Sequence, residues 1–205
     1  MEYYFVEHRT DDEVGNVYPQ VTFDDLKEAF KFRHNVFPIQ KPILLGTLEK
    51  GAKLTEILSQ GSINGHGLLI SEKVKSIFAG FQLMDHKYFE CPIKDHSGAL
   101  HQYYWLALVQ IDLVNLIDFE NSSFYLKKGL KNLGPVDIKN YDHYLMIKAK
   151  LDISIIVKAK SIHLRVCNLD LFKLPLFDNK IYVSSALESK MAGIRGIQIR
   201  KYYST

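Results

Sequence analysis

LISEKVKSIFAGF at residues 69–81 and YVSSALESKMAGI at residues 182–194 are two copies of one pattern, and this pattern decides the fold. The alignment needs no gap, because every matched pair is 113 positions apart (184 − 71 = 113). Ser71 matches Ser184, and the two Ala-Gly dipeptides coincide. Each copy predicts a short strand, a serine that caps a helix, roughly two to three helical turns, and a glycine where the helix ends.

The remaining sequence favours strands. Tyr and Phe are used heavily, with 12 of each, and aromatic side chains pack well on a pleated sheet. A first strand is predicted at Tyr3–Val6. Apolar residues at every second position predict further strands at His86–Ile93, Gln102–Val109, Ser122–Leu126, Tyr144–Val157 and Ser161–Val166. We therefore expect an α+β fold with a mixed, largely antiparallel sheet and a few short helices. The two equivalent strand–Ser–helix–Gly units are expected to lie near each other on this one sheet.

The domain organisation follows from length and composition. A chain of 205 residues is long enough to bury a sizeable core, and no low-complexity linker divides it. The sequence therefore predicts a single α+β domain over residues 1–205. The alternative is a loosely attached N-terminal subdomain over residues 1–67.

Charge and cysteine content bound the class of protein. The net charge of +3 is small and dispersed, so we expect no nucleic-acid partner. The two cysteines, Cys91 and Cys167, are too few for a disulfide framework and predict buried thiols in a reducing compartment. Residues 1–13 carry acids where a signal peptide needs a basic start, and no apolar run is long enough to span a membrane. We expect a soluble, cytoplasmic protein with no membrane partner.

Two motifs that suggest catalysis lack the context they need. The glycines at 61, 65 and 67 precede a strand, whereas a phosphate-binding loop follows one and opens a helix. Ser71 and Ser184 stand where a strand turns into a helix, as a hydrolase nucleophile does. Both lack the flanking glycines of that tight turn, so a structural cap is the favoured interpretation. The sequence therefore predicts no catalytic residue and no cofactor.

A possible metal site lies between the two copies. Histidine or cysteine recurs at five-residue steps, and Asp85 and Asp95 stand beside two of these residues: His86, Cys91, His96 and His101. Structural zinc favours closer pairs, and a five-residue step along a strand places successive side chains on opposite faces. A polar, histidine-containing loop is therefore the favoured interpretation, and we expect no metal. A small metal-dependent hydrolase that uses His86, His96, His101 and Asp95 remains the alternative.

Four pieces of the chain occur in a recognisable order: LLISEKVKSIF at 68–78, YYWLALVQIDLVNLIDFENSSF at 103–124, LFKL at 171–174 and IYVSSALESKMAGIRGIQI at 181–199. In order and spacing they resemble a family of bacterial immunity proteins from polymorphic-toxin and contact-dependent secretion systems, known as domain of unknown function 1629. Ser185 departs from the family pattern, which has Glu after Val-Ser.

The resemblance implies a cytoplasmic binding protein that neutralises a cognate toxin and is not an enzyme. Such a protein needs a contact surface of about 800 Å² on each partner or more. Polar, loop-like character predicts three contact regions, whose residues are Asp11, Asp12, Glu13, Asp85, His86, Lys87, Asp95, His96 and His101. The chain is not acidic overall, so a nuclease toxin is not implied. An adaptor module of a secretion apparatus is a further alternative, and the oligomeric state is left open.

Overall fold

The computed structural model describes residues 2–33, 36–63, 66–109, 113–165, 167–174 and 180–201. The chain divides into two units. Unit 1 contains Met1–Ile111, Leu169–Lys173 and Ile181–Lys201, and unit 2 is built mainly from Asp112–Asn168. Unit 2 is therefore inserted in the sequence between two parts of unit 1.

Short strands dominate the described residues. In chain order they are β1 (Tyr3–His8), β2 (Val21–Phe23), β3 (Gly46–Leu48), β4 (Ile57–Leu58), β5 (His66–Ser71), β6 (His86–Glu90), β7 (Ile93–Lys94), β8 (Leu100–His101), β9 (Tyr103–Leu108), β10 (Ile117–Lys128), β11 (Lys131–Val136), β12 (Ile155–Leu164), β13 (Leu171–Lys173), β14 (Ile181–Ser184) and β15 (Ile197–Lys201). The α-helices are α1 (Leu26–Ala29), α2 (Glu72–Phe78), α3 (Tyr141–Lys150) and α4 (Ser185–Lys190). Among the strand pairs, only β3 with β7 is parallel in the part of the chain that is described. The expected α+β fold is confirmed.

Two of the sheets in unit 1 have the same architecture. One has the strand order β4-β5-β9-β6 and carries α2 after its second strand, and we call these five elements half A. The other has the order β13-β14-β1-β15 and carries α4 after its second strand, and we call these five elements half B. The two predicted strand–Ser–helix–Gly units therefore exist, but the expectation that they share one sheet is wrong. Each belongs to its own sheet because each has its own central strand, β9 or β1.

The central strands correspond residue by residue. Ser71 is paired with Tyr103 across half A, and Ser184 is paired with Tyr3 across half B. The sequence YYWL at 103–106 therefore occupies the same place as YYFV at 3–6. In half A the central strand follows the helix in sequence, whereas in half B it comes from the start of the chain. Half B is thus a circularly permuted copy of half A.

The halves meet through matching backbone hydrogen bonds. Ile57 N, in the first strand of half A, donates to Arg195 O beyond the helix of half B, at 3.2 Å. Leu171 N, in the first strand of half B, donates to Gln82 O beyond the helix of half A, at 3.3 Å. Gln82 and Arg195 are themselves 113 positions apart, the offset of the sequence repeat (195 − 82 = 113). The reciprocal contact supports the view that unit 1 is an internal duplication.

Two carboxylates make a further pair of reciprocal contacts between the halves. Glu56 Oε2 accepts a hydrogen bond from Arg195 N at 3.1 Å, and Asp170 Oδ2 accepts one from Gln82 N at 2.9 Å. Each acid precedes the first strand of its own half and binds the chain beyond the other half's helix. The loss of either acid would leave a backbone N–H of the opposite half without this partner.

The helix caps differ between the halves. Ser184 Oγ accepts a hydrogen bond from Leu187 N and donates one to Asp170 Oδ1 at 2.6 Å. Ser71 has the same extended backbone, but its hydroxyl makes no cap hydrogen bond. The predicted serine cap is therefore confirmed for Ser184 and wrong for Ser71. The acids also differ in their side-chain partners, because Asp170 accepts a hydrogen bond from the Ser184 hydroxyl whereas Glu56 accepts one from the Arg195 guanidinium.

The glycines that follow the two helices also differ. Gly193 has a φ of +80°, the left-handed conformation that the sequence predicts for a helix end. Gly80 has no positive φ, so the prediction of an equivalent stop there is wrong. The chain leaves α2 through right-handed turns, in which Gly80 N donates to Ile77 O and Phe81 N to Phe78 O. A glycine is not required by such turns.

A third sheet of unit 1, with the order β2-β3-β7-β8, covers half A. Buried side chains of this sheet and of half A form one apolar cluster, which includes Val21, Leu48, Ile93, Leu69 and Trp105. Phe32, from the segment after α1, contacts Phe89 edge to face with 5.1 Å between ring centroids. Burial of each large side chain of this kind contributes about 1.5–3 kcal/mol, so this cluster is a main source of stability for half A.

Unit 2 consists of the antiparallel sheet β11-β10-β12 and helix α3. The sequence-based prediction of a strand over Tyr144–Val157 is wrong for residues 144–154, because α3 continues to Lys150 and β12 begins only at Ile155. Asn140 caps this helix, and its side-chain oxygen accepts a hydrogen bond from His143 N at 2.8 Å. Apolar residues at 147, 149 and 151 imitate a strand because the helix is apolar on two sides.

Candidate interaction surfaces

The first predicted contact region, Asp11–Glu13, is a loop whose acids also hold it in place. Asp11 accepts hydrogen bonds from the guanidinium of Arg9, at 2.5 Å from Nη2, and this bond lowers the pKa of Asp11. Glu13 Oε1 accepts a hydrogen bond from Gly196 N at 2.9 Å. The side chains of Asp11 and Asp12 remain exposed. The loop therefore presents fixed carboxylates to solvent.

The second predicted region, Asp95–His101, is a tight turn organised by one carboxylate. Asp95 Oδ1 accepts hydrogen bonds from the Ser97 hydroxyl at 2.6 Å and from Ala99 N at 3.0 Å. Asp95 Oδ2 lies 2.7 Å from His101 Nε2. The bonds from Ser97 and then from His101 hold the pKa of Asp95 far below its ordinary value. The histidine and aspartate thus form a local hydrogen-bonded pair at the base of a turn.

Residues 49–53 bring these two loops together. Lys53 Nζ donates to Asp12 O at 2.7 Å, and Lys53 N donates to Val14 O at 3.1 Å. On the other side, His96 Nε2 lies 3.3 Å from Ala52 O. Two of the three predicted contact regions are therefore neighbours, and we call them with residues 49–53 the polar loop surface.

The third predicted region, Asp85–Lys87, does not belong to that surface. Asp85 O accepts a hydrogen bond from Val109 N at 2.9 Å, and His86 Nδ1 lies 2.9 Å from Met84 O. Lys87 instead places its Nζ 4.9 Å from the centroid of the Phe37 ring. This cation–π contact connects Lys87 to a different part of unit 1.

The hypothetical metal residues are not gathered into one site. Asp95 and His101 are in contact, whereas His86 and His96 bond to backbone oxygens elsewhere. Within the described ranges, no three His, Cys, Asp or Glu side chains are grouped as ligands. Cys91 is buried, which raises the pKa of its thiol to about 12 and makes it a poor nucleophile.

An apolar groove of about 610 Å³ lies beside Phe37, at the end of α1. Its apolar lining is Phe30, Val36, Phe37, Pro38 and Ile39, and its polar lining is Lys27, Lys31, Arg33 and Gln40. Ile39 is fully exposed and Phe30 is 58 % exposed. We call this feature the α1 groove. Side chains of this size and exposure in one cavity mark a surface suited to contact with another molecule.

Local sequence explains how the groove is held open. Asp25 caps α1 by accepting a hydrogen bond from Lys27 N at 2.8 Å, and the helix ends after about one turn. The returning segment is tied down by Ile43 N, which donates to Glu28 Oε2 at 2.8 Å. An ion pair of 2.7 Å between Lys41 and Glu90 fixes it to β6. The exposed apolar residues therefore stand on a segment that is held at its far end.

The rim of the α1 groove is cationic. Lys31 is paired with Glu28, whereas Lys27 and Arg33 form no ion pair with any described residue. A rim of unpaired cations around an apolar floor suits a ligand segment that carries acidic and apolar groups together. Sequence reasoning missed this site because it looked for polar loops. The missed signal was the apolar run VFPI at 36–39, which has neither the period of a strand nor that of a helix.

Comparison with known proteins found no match for this chain among protein-family models or among curated proteins. Among the described residues, no helix is long and apolar enough to cross a membrane.

Proposed function

We propose that this chain is an immunity protein, which binds a cognate antibacterial toxin stoichiometrically and neutralises it. The observation that carries the proposal is the α1 groove, whose exposed Phe30 and Ile39 lie among cations, of which Lys27 and Arg33 form no ion pair with any described residue. The order of the four sequence pieces supports the same function by resemblance. An inhibitor of this kind acts through contact alone, so it needs anchoring pockets and fixed surface charge more than it needs reactive groups.

Exposed apolar side chains in a groove are suited to act as anchors. A few buried aromatic and aliphatic residues usually supply most of the binding free energy of an interface. Phe30 and Ile39 lose solvent-exposed area when a partner segment enters, while Lys27 and Arg33 attract acids beside that segment. The partner segment is therefore expected to carry apolar residues flanked by Asp or Glu.

The polar loop surface provides the complementary kind of contact. Its carboxylates at Asp11 and Asp12 and its ammonium at Lys53 are exposed and held by hydrogen bonds. Fixed charges at the rim of an interface improve specificity and the rate of association more than affinity. In this proposal the polar loop surface contributes less to recognition of the toxin than the α1 groove does.

The decisive experiment pairs this chain with the toxin domain encoded by the gene next to its own. Wild-type protein should protect cells that express the toxin and should form a complex of one toxin with one inhibitor. Phe30→Asp and Ile39→Asp should each weaken binding about 100-fold or more, since each replaces an anchor by a charge. Leu130→Asp, at a residue that is 98 % exposed in unit 2, is the matched control and should protect like wild type.

The alternatives have distinct outcomes in the same experiment. Binding to several secretion components without protection would support an adaptor module instead. Retention of stoichiometric metal, lost in Asp95→Ala and His101→Ala, would support a metal-dependent hydrolase. Equal protection by wild type and by Phe30→Asp would show that the toxin is bound elsewhere.

A further inference from the structure

Helix α3 of unit 2 is apolar on two opposite sides. Tyr144 on its inner side is buried, and Ile147 beside it is half-buried. Its outer side carries Leu145 and Met146, which are 43 % and 58 % exposed, and Ala149, which is also exposed. At 3.6 residues per turn these three side chains lie on one stripe. A helix on the surface of a folded protein normally turns its polar side to water, so this stripe is unusual.

The stripe has a negative and a positive end. Asp142 stands on the same side of the helix, one turn before Leu145 and Met146. Lys150 follows Ala149 in the last turn, about 40° around the helix beyond the Met146 edge of the stripe, from which its long side chain can reach the stripe. Neither Asp142 nor Lys150 forms an ion pair with any described residue, and both are exposed. The helix dipole favours an acid near the start of the helix and a base near its end, which explains why each charge stands where it does. Because neither is paired with a described residue, both charges are available to a partner molecule.

We propose that the outer side of α3 binds the same side of α3 in a second copy of this chain, with the two helices antiparallel. A two-fold axis between Leu145 and Met146 would place Leu145 of each copy against Met146 of the other. With a rise of 1.5 Å per residue, Asp142 lies about 5 Å from this axis along the helix and Lys150 about 7 Å from it in the opposite direction. Asp142 of one copy therefore meets Lys150 of the second copy, and the symmetry makes this ion pair twice.

The charges argue for this arrangement over the other ways of covering the stripe. A parallel pair would place Lys150 beside Lys150 and Asp142 beside Asp142, which repels at both ends. In the antiparallel pair the two Lys150 side chains are about 13 Å apart along the helix axis, beyond the screening length at physiological salt. A different protein would need a basic group opposite Asp142 and an acidic group opposite Lys150. A second, antiparallel copy of this chain always has both. Ala149 allows the backbones to approach closely.

The expected dimer is weak, because one helix stripe offers less area than a standard stable interface. Sedimentation velocity of the isolated chain over a wide range of concentration should show a reversible monomer–dimer equilibrium. Met146→Glu should weaken the dimer about 10-fold or more, because it places two carboxylates at the two-fold axis. Leu130→Glu, an equivalent change at the exposed tip of the β10–β11 turn, should leave the equilibrium unchanged.

A charge exchange gives a second, independent test. Asp142→Lys and Lys150→Asp should each weaken the dimer, and the double variant should restore it, because the double variant recreates both ion pairs in the reverse sense. Circular dichroism of each variant checks that α3 remains folded. A protein that stays monomeric at every concentration overturns the proposal, and so does a double variant no better than the single ones. A loss of dimer in Leu130→Glu equal to that in Met146→Glu also overturns it. No toxin enters these measurements, so their failure would not touch the proposed function.

Discussion

Half A and half B of unit 1 have the same strand order but different routes through the sequence. Half A lies between Ile57 and Leu108, with only β7 and β8 of the third sheet inserted before its last strand. Half B takes its central strand from Tyr3–His8 and its other elements from Leu171 onwards. The matching registers and the reciprocal hydrogen bonds at Gln82 and Arg195 are the same in both. The comparison teaches that the pairing and register of the strands define this fold, and that the order in which the chain connects them is secondary.

The halves differ at particular equivalent positions. Gly196 in half B corresponds to Leu83 in half A, at the offset of 113 (196 − 83 = 113). His8 in half B occupies the place of Leu108 in half A, since each lies opposite the first residue of the last strand of its sheet. These differences allow the equivalence to be tested by substitution.

The largest effect is expected at Gly196. Its φ is +96°, and a Cβ atom there would lie 1.9 Å from Ile57 O, the backbone of the other half. Gly196→Ala should therefore lower the free energy of unfolding by roughly 4 kcal/mol, measured by urea denaturation. Gly193→Ala is the control, because Gly193 has a similar φ of +80° but no atom within 4 Å of the added Cβ. It should cost only about 1–2 kcal/mol, and equal losses would mean that the close approach between the halves is not real.

The next effect concerns the buried faces of the two helices. Leu187 in α4 and Val74 in α2 are matched positions, and both are fully buried. Leu187→Ala should cost about 3 kcal/mol and Val74→Ala about 2 kcal/mol, because each leaves a cavity. If the halves unfold as one cooperative structure, each variant should shift a single transition of unit 1. Two separate transitions, each moved by only one of the variants, would show that the halves are independent.

Acid should distinguish the halves through His8. Burial lowers the pKa of His8 from 6.5 to about 4, and its buried Nδ1 has no hydrogen-bond partner among the described residues. The unfolded chain therefore binds the proton first, so stability falls as pH drops from about 6.5 towards 4, by up to about 3 kcal/mol. His8→Leu copies half A and should remove this part of the pH dependence. Parallel curves of unfolding free energy against pH for the two proteins would contradict the assignment.

The smallest effect separates the two serines. Ser184→Ala removes a helix cap and the bond to Asp170, and should cost about 1–2 kcal/mol. Ser71→Ala should change stability by less than about 0.5 kcal/mol, because the buried Ser71 hydroxyl has no hydrogen-bond partner within the described chain. Thermal unfolding of the two variants measures the difference directly. Equal losses would restore the predicted cap at Ser71.

Local sequence signals predicted much of half A and part of half B. The repeat around Ser71 and Ser184 gave both strand–helix units, because strand, cap and helix lie within one short stretch. The correspondence of YYFV at 3–6 with YYWL at 103–106 was missed, because it has a different offset from the first repeat (103 − 3 = 100). In a permuted duplication the equivalent segments do not all share one offset, so an alignment at a single offset finds only some of them.

The errors in unit 2 and at the α1 groove have a common cause. Helix α3 carries apolar residues on both sides, so its pattern resembled the alternation of a strand more than the stripe of a helix. The α1 groove is lined by apolar residues with no period at all. In both cases some apolar side chains are exposed. A prediction from sequence period assumes that apolar residues lie in the core, so it fails where they do not.

The origin of β1 has a consequence for how the protein is made. A ribosome completes all of half A once Leu108 has been added, so that half is free to fold during synthesis. Tyr3 is translated before all of half A, yet its partner Ser184 is translated 181 positions after it (184 − 3 = 181). Until β14 and β15 are translated, both edges of β1 lack their partner strands and are open to other chains. Newly synthesised molecules are therefore the ones most exposed to misassembly.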